Sequence, residues 1–402
     1  MRKTRWKCWL SMLLAGLCAW CTGCWLSAAL PDPAGPAMEP LGEEVYLLRG
    51  VPDAPAVRSL GRTTHVLILV PGVSSGDLAT QSRFLSHLRR RTGAQVAIFH
   101  HWGQYDPTRR MAAPTATSRA AATLASFCEL MWRQAGPQPH IDVLAHSAGT
   151  IVVNKAALQL ATADSPVRLR HVLFLGTPHA PDADLTALKQ RCEALLNLHS
   201  VFDKINRNVS GAEGALEALP APPYWNRSLD RSLGGRRTRH NAFLEDTAEN
   251  RVQYGHFLRT GRWLTPLAWP DGAPLTAIGL HRHALHVRAA NPGARQGMVG
   301  PALLRRCLAH PDPEIRYYGA LLAGLAGVGA VRPALKATLE APEQPDMVRR
   351  EIYQALGAME DPRDLRYLQQ RRQSDPEAGD VLRDVLRAWK RRRIRPPRES
   401  RR

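Results

Sequence analysis

Beyond residue 30 this sequence is poor in cysteine. Four of its seven cysteines (Cys8, Cys18, Cys21 and Cys24) precede that point, leaving Cys128, Cys192 and Cys307. An odd number at no metal-ligand spacing argues against metal or redox roles, and buried free thiols are the expectation. Basic stretches with interleaved aromatics are also missing. The formal net charge of +19 invites nucleic acid as a partner, but the cations gather at the ends. Arg2, Lys3, Arg5 and Lys7 form a basic head; Lys390, Arg391, Arg392, Arg393, Arg395, Arg398, Arg401 and Arg402 form a tail. Nucleic acid is therefore not expected, and the tail, with 391–402 at its end, reads as a solvated end or a membrane-surface contact. No Gly-Lys-Ser/Thr follows the glycine-bearing loop at 70–76, which removes a nucleotide-phosphate cradle.

One stretch lacks charge altogether. Residues 9–30 contain no Asp, Glu, Lys or Arg and follow the basic head, as a secretory signal does. The run is close to the ~20 residues that span a bilayer, so an uncleaved anchor fits as well. Cys21-Thr22-Gly23-Cys24 resembles a bacterial lipobox, with Cys21 where leucine or valine is usual. Lipidation at Cys24 and a retained anchor are the two leading expectations, with simple secretion third. Each leaves the rest of the chain in the cell envelope, outside the cytoplasm, and the first two make it membrane-associated. Residues 31–42 read as a proline-rich linker.

From residue 43 onward, apolar strands alternate with amphipathic helices. Strands are expected at 43–48, 65–70, 95–99, 141–145, 171–175 and 198–202, with helices at 77–91, 116–134, 148–162 and 185–196. The continuous run His65-Val66-Leu67-Ile68-Leu69-Val70 suits a strand buried on both faces. The alternation predicts an α/β fold whose mostly parallel sheet is covered by helices. Ligands on such sheets bind beyond the carboxyl ends of the strands.

Three features fall at those ends. In Ile141-Asp142-Val143-Leu144-Ala145-His146-Ser147-Ala148-Gly149-Thr150 an apolar strand meets a helix at a serine flanked by small residues. That is the layout of a nucleophile elbow, with Ala145 in place of the usual first glycine. The loop Val70-Pro71-Gly72-Val73 can offer the Val73 N–H, paired with the Ala148 N–H, to a developing oxyanion. Asp203, after the strand expected at 198–202, is a candidate acid, with Asp182 and Asp184 in reserve. His146 and His179 read as structural or cleft-lining. Among the later histidines, His256 in Gln253-Tyr254-Gly255-His256-Phe257-Leu258 suits a base carried on a glycine loop, while His240 looks like a surface residue. The His281, His283 and His286 cluster matches no zinc spacing. Residues 204–255 read as a cap-like insertion.

Residues 43 to about 270 thus resemble the α/β-hydrolase superfamily, in its lipase-like and serine esterase branch. The resemblance rests on Ala145-His146-Ser147-Ala148-Gly149, on Pro71-Gly72 and on Leu175-Gly176-Thr177-Pro178-His179. It implies a hydrolase domain at 43–295, with Ser147 as nucleophile, Asp203 as acid and His256 as base. It also implies an ester or lipid substrate and neither metal nor organic cofactor. Pro71 stands where a histidine is more usual. Two other functions remain compatible: a membrane-tethered scaffold without turnover, and an acyltransferase or thioesterase using the same serine.

From about 296 to 390 the pattern turns wholly helical and repeats itself. Ile315 and Val348 stand 33 positions apart, as do Gly324 and Gly357. An eroded third copy begins near Val381, with Ala388 in register. Periods of this length mark helical solenoids, and the pattern resembles short HEAT-type repeats. Such a module is expected to pack on the hydrolase or to offer a surface to a protein partner.

Overall fold

The structure is a computed structural model, which describes residues 38–42, 44–49, 54–72, 78–100, 102, 105–106, 111–112, 114–135, 139–206, 214–217, 219, 222–233, 235–270 and 272–394. The N-terminal head with Cys24, most of the linker, Val73 and the end of the basic tail lie outside the described residues. Among the described residues no helix is long and apolar enough to cross a membrane. The chain divides into two compact units, Met1–Ser228 and Leu229–Arg402.

The first unit is built on an eight-stranded sheet. Its strands are β1 (Met38–Gly42), β2 (Val45–Leu48), β3 (His65–Val70), β4 (Val96–His100), β7 (His140–His146), β8 (Leu169–Leu175), β9 (Cys192–His199) and β10 (Tyr224–Ser228); β5 (Tyr105–Asp106) and β6 (Met111–Ala112) pair separately. The order is β1-β2-β4-β3-β7-β8-β9-β10, and every pairing but β1 with β2 is parallel. Helices α1 (Ala54–Arg58), α2 (Leu78–Thr92), α3 (Pro114–Ala135), α4 (Gly149–Thr162) and α5 (Thr186–Arg191) join them. Strands such as β3 and β7 are buried at nearly every position, which is why they read as unbroken apolar runs. The reversal of order between β3 and β4 lets loops on both sides of β7 converge at the carboxyl edge.

Two expectations change here. The helix expected at 185–196 stops at Arg191, and Cys192–His199 is the strand; of the strand expected at 198–202 only Leu198 and His199 belong to it, and 201–202 form a turn. A short apolar run is ambiguous between buried helix and buried strand, and the free edge of β8 decides for the strand. The stretch expected to form a cap contributes β10 to the sheet. Asn197 and Asn226 face each other in this pairing, and the Asn197 Nδ2 donates to Asn226 Oδ1 at 2.7 Å and to Gly214 O at 2.7 Å.

The opposite, amino edge carries charge. Asp142 is fully buried on β7, where it accepts from His65 Nε2 at 2.8 Å, Arg170 Nε at 2.8 Å and the His171 N–H at 3.2 Å. Burial alone would push this carboxyl up, but the hydrogen bonds from His65 and Arg170 outweigh it and hold the group ionised.

In the second unit a 3₁₀ turn at His240–Leu244 precedes α6 (Ala248–Thr260) and α7 (Ala277–Ala289). Then come α8 (Pro292–Arg295), α9 (Pro301–Leu308), α10 (Pro313–Ala326), α11 (Arg332–Glu340), α12 (Asp346–Ala358), α13 (Pro362–Ser374) and α14 (Gly379–Ile394). The 33-residue repeat has a steric meaning. A Cβ on Gly324 of α10 would stand 2.9 Å from the Cα of Ala355 on α12, and one on Gly357 of α12 would stand 2.2 Å from Cγ1 of Val385 on α14. Gly324 thus admits the next inner helix at backbone distance and Gly357 leaves room for the Val385 side chain, so the stack buries one continuous core.

Candidate active site

Ser147 lies between β7 and α4 with φ +52°, a left-handed conformation that non-glycine residues seldom hold. Both flanking peptide groups are tied. The Ser147 N–H donates to Leu175 O at 2.9 Å, and its carbonyl accepts from the Thr150 N–H at 2.9 Å and Thr150 Oγ1 at 2.8 Å. Two glycines allow the turn. A Cβ at Gly149 would sit 2.1 Å from Val70 O, and one at Gly72 would sit 2.6 Å from the Ser147 Cβ. The loop after β3 therefore presses directly on the serine, and Trp102 Nε1 holds it by donating to Pro71 O at 2.8 Å. Ala145, where glycine is more usual, is fully buried within β7.

Helix α4 starts at Ala148 without a side-chain cap. Because the helix begins directly after Ser147, the positive end of its dipole lies next to that residue, an arrangement that favours negative charge there. The other expected donor, Val73, lies outside the described residues.

Asp203 is buried in the turn that follows β9. Its N–H donates to Ser200 O at 3.0 Å, and its Oδ1 accepts from the Asn206 N–H at 3.1 Å. The reserve acids differ: Asp182 and Asp184 are exposed, and Asp184 Oδ1 caps the start of α5 through the Thr186 N–H at 2.8 Å. The loop after β8 joins the same edge. His179 stacks on Phe174 with ring centroids 6.1 Å apart, and burial lowers its proton affinity.

The histidine candidates of the second unit sit otherwise than expected. His256 is within α6 rather than on a glycine loop, half-buried. Burial, followed by Arg259 and Arg282, makes protonation of its ring harder. His240 is buried at the start of its 3₁₀ turn, not at the surface. His281 is sealed in the core: Gln253 Nε2 donates to its Nε2 at 3.1 Å, its Nδ1 reaches Tyr318 Oη at 2.9 Å, and burial drives its pKa down to about 3. Among the described residues no group of three or more His, Cys, Asp or Glu is placed to hold a metal ion. Burial raises Cys128, Cys192 and Cys307 to about 12 each, so none is a thiolate nucleophile at neutral pH.

An α/β unit followed by an all-helical, HEAT-like region is the architecture so defined, and residues 300–389 match the family of HEAT repeats. Among solved structures, the chain is similar to several esterases and a lipase. These include a hyperthermophilic esterase from Pyrobaculum calidifontis (12% identity, 50% of this chain and 75% of that one, TM-score 0.32). Carboxyl esterase 2 of Tuber melanosporum (12%, 50% and 78%, TM-score 0.34) and lipase B of Aspergillus fumigatus (14%, 58% and 64%, TM-score 0.35) are others. No curated protein sequence matches the chain. The strand order and the strained serine after β7 define a mostly parallel α/β sheet with an elbow at its carboxyl edge.

Proposed function

We propose that the protein is a serine hydrolase of carboxylic esters. The observation that carries this reading is Ser147 at φ +52° between a buried parallel strand and an uncapped helix N-terminus. Ser147 attacks the ester carbonyl, the α4 N-terminus stabilises the oxyanion, and water then hydrolyses the acyl-enzyme. Asp203 is the acid that orients the base and stabilises its cation; it is buried at the same sheet edge, while its rivals are exposed.

For the base, the sequence favours His256, but the surroundings of that ring are cationic. Arg259 and Arg282 oppose the imidazolium that forms as the serine is deprotonated. His240, by contrast, is buried at the head of its 3₁₀ turn. We therefore assign the base to His240 and retain His256 as its competitor. Hydrolysis of short-chain p-nitrophenyl esters tests the whole set. Ser147→Ala is expected to lose at least ~10³-fold in kcat. His240→Ala is expected to fall by a similar factor and His256→Ala by less than about 3-fold; the reverse pattern returns the base to His256. A Ser147→Ala protein as active as its parent refutes the reading, and labelling of Ser147 by a fluorophosphonate probe supports it.

The tether is proposed on the sequence alone. If Cys24 is lipidated, Cys24→Ser moves the protein out of the membrane fraction; continued membrane association favours the uncleaved anchor. The HEAT-like helices are proposed to face a protein partner.

A further inference from the structure

A run of buried hydrogen bonds links the serine turn to the acid turn. Ser147's carbonyl can only accept, so the single proton of the Thr150 hydroxyl is spent on it at 2.8 Å. The Thr177 hydroxyl, 2.7 Å from Thr150 Oγ1, must then be the donor in that pair. Thr177 Oγ1 in turn accepts from the His179 N–H at 3.3 Å. The Thr177 carbonyl accepts from Asn206 Nδ2 at 3.0 Å, and the Asn206 N–H holds Asp203 Oδ1 at 3.1 Å. Thr150 and Thr177 are fully buried, and Asn206 and Asp203 are each only 1% exposed. Gly214 closes the space above: a Cβ there would lie 3.0 Å from Thr177 O and 3.5 Å from Asn206 Nδ2.

We infer that Thr150, Thr177 and Asn206 are positioning residues that hold the Ser147 turn and the Asp203 turn in one fixed relation. This rests on the proposed roles of Ser147 and Asp203. A left-handed serine stores strain that persists only where its surroundings over-determine it. Here the Ser147 carbonyl has two donors, and one of them is itself directed by the loop after β8. The same loop fixes the residue whose backbone N–H holds the acid. A local fold requirement needs only helix α4 to start; it needs neither the hydroxyl pair between Thr150 and Thr177 nor the hold of the Thr177 carbonyl on Asn206.

The test compares Thr150→Val, Thr177→Val and Asn206→Ala with the rescuing variants Thr150→Ser and Thr177→Ser. Each is assayed for p-nitrophenyl ester hydrolysis, for the rate of fluorophosphonate labelling, and for melting temperature. Positioning predicts kcat and labelling rate down by about 10- to 100-fold with KM within about 3-fold, because misplacement of a nucleophile acts on the chemical step. The serine variants restore most of both rates, and Thr150→Val with Thr177→Val together costs less than the product of the two. Valine variants that react at the parental rate overturn the inference, as does a serine variant as slow as its valine counterpart. Hydrogen exchange separates this from a failure of the hydrolase reading. If Ser147→Ala leaves turnover intact, that reading falls. The network is then judged by whether Thr177→Val raises amide exchange at both 145–151 and 200–206. Faster exchange at both supports it, and faster exchange at one or neither refutes it.

Discussion

At Ser147 the backbone and the side chain make opposite demands. As the proposed nucleophile it must present its hydroxyl, yet its backbone is held in the strained left-handed region, and that strain is accommodated by neighbours without side chains. Gly149 has no spare space, since its missing Cβ would overlap Val70 O and Pro71 O. Gly149→Ala is therefore expected to cost about 2–4 kcal/mol and to abolish probe labelling, measured by thermal unfolding and by fluorophosphonate adduct formation. Ser147 and the small residues beside it were legible in the sequence because this chemistry tolerates few alternatives. His240 was not. Its Arg-rich, glycine-marked neighbourhood reads as surface, and burial of a polar segment leaves no hydrophobic periodicity to detect.

At the level of elements, the sheet order follows from strands that must be covered on both faces. Its last two strands show how sequence patterns run out. Cys192–His199 is apolar enough to pass for a helix, and Tyr224–Ser228 is only partly buried, so neither period is clear. The polar pair Asn197 and Asn226 sets their register instead. Asn197→Leu leaves Gly214 O and Asn226 without their donor, and a loss of about 1–3 kcal/mol is expected in chemical denaturation. The HEAT-like stretch was readable for the opposite reason. Its signal is a spacing of glycines, and each glycine is a helix crossing. Gly357→Val sets a side chain against Val385 and is expected to lower stability by about 2–4 kcal/mol, with unfolding followed by circular dichroism.

Two buried groups of the second unit act in opposite senses on the dependence of stability on pH. His281 has its pKa lowered from 6.5 to about 3, so the unfolded chain binds the extra proton as pH falls through that window, and stability drops. Glu351 is raised from 4.5 to about 8 by burial and then by Glu249, so the unfolded chain loses its proton first as pH rises, and stability drops again. Between about 4.5 and 6.5 the slopes of these two groups oppose each other, and on either side the one that remains contributes a loss approaching ~1.4 kcal/mol per pH unit. Glu351→Gln is expected to remove the decline from 6.5 to 8 and leave the acid limb in place, as read from melting temperature across pH. A decline unchanged in that variant assigns the alkaline limb to other groups.

The glycine spacing is not kept at its third position. Counting on by the same interval from Gly324 and Gly357 reaches Lys390, exposed on α14. Where Gly324 leaves room for the backbone of α12 and Gly357 for the side chain of Val385 on α14, Lys390 carries a flexible charged chain, which a helix packed at the same place could not cover without burying an ammonium. The third position of the series is thus a solvated one among the described helices.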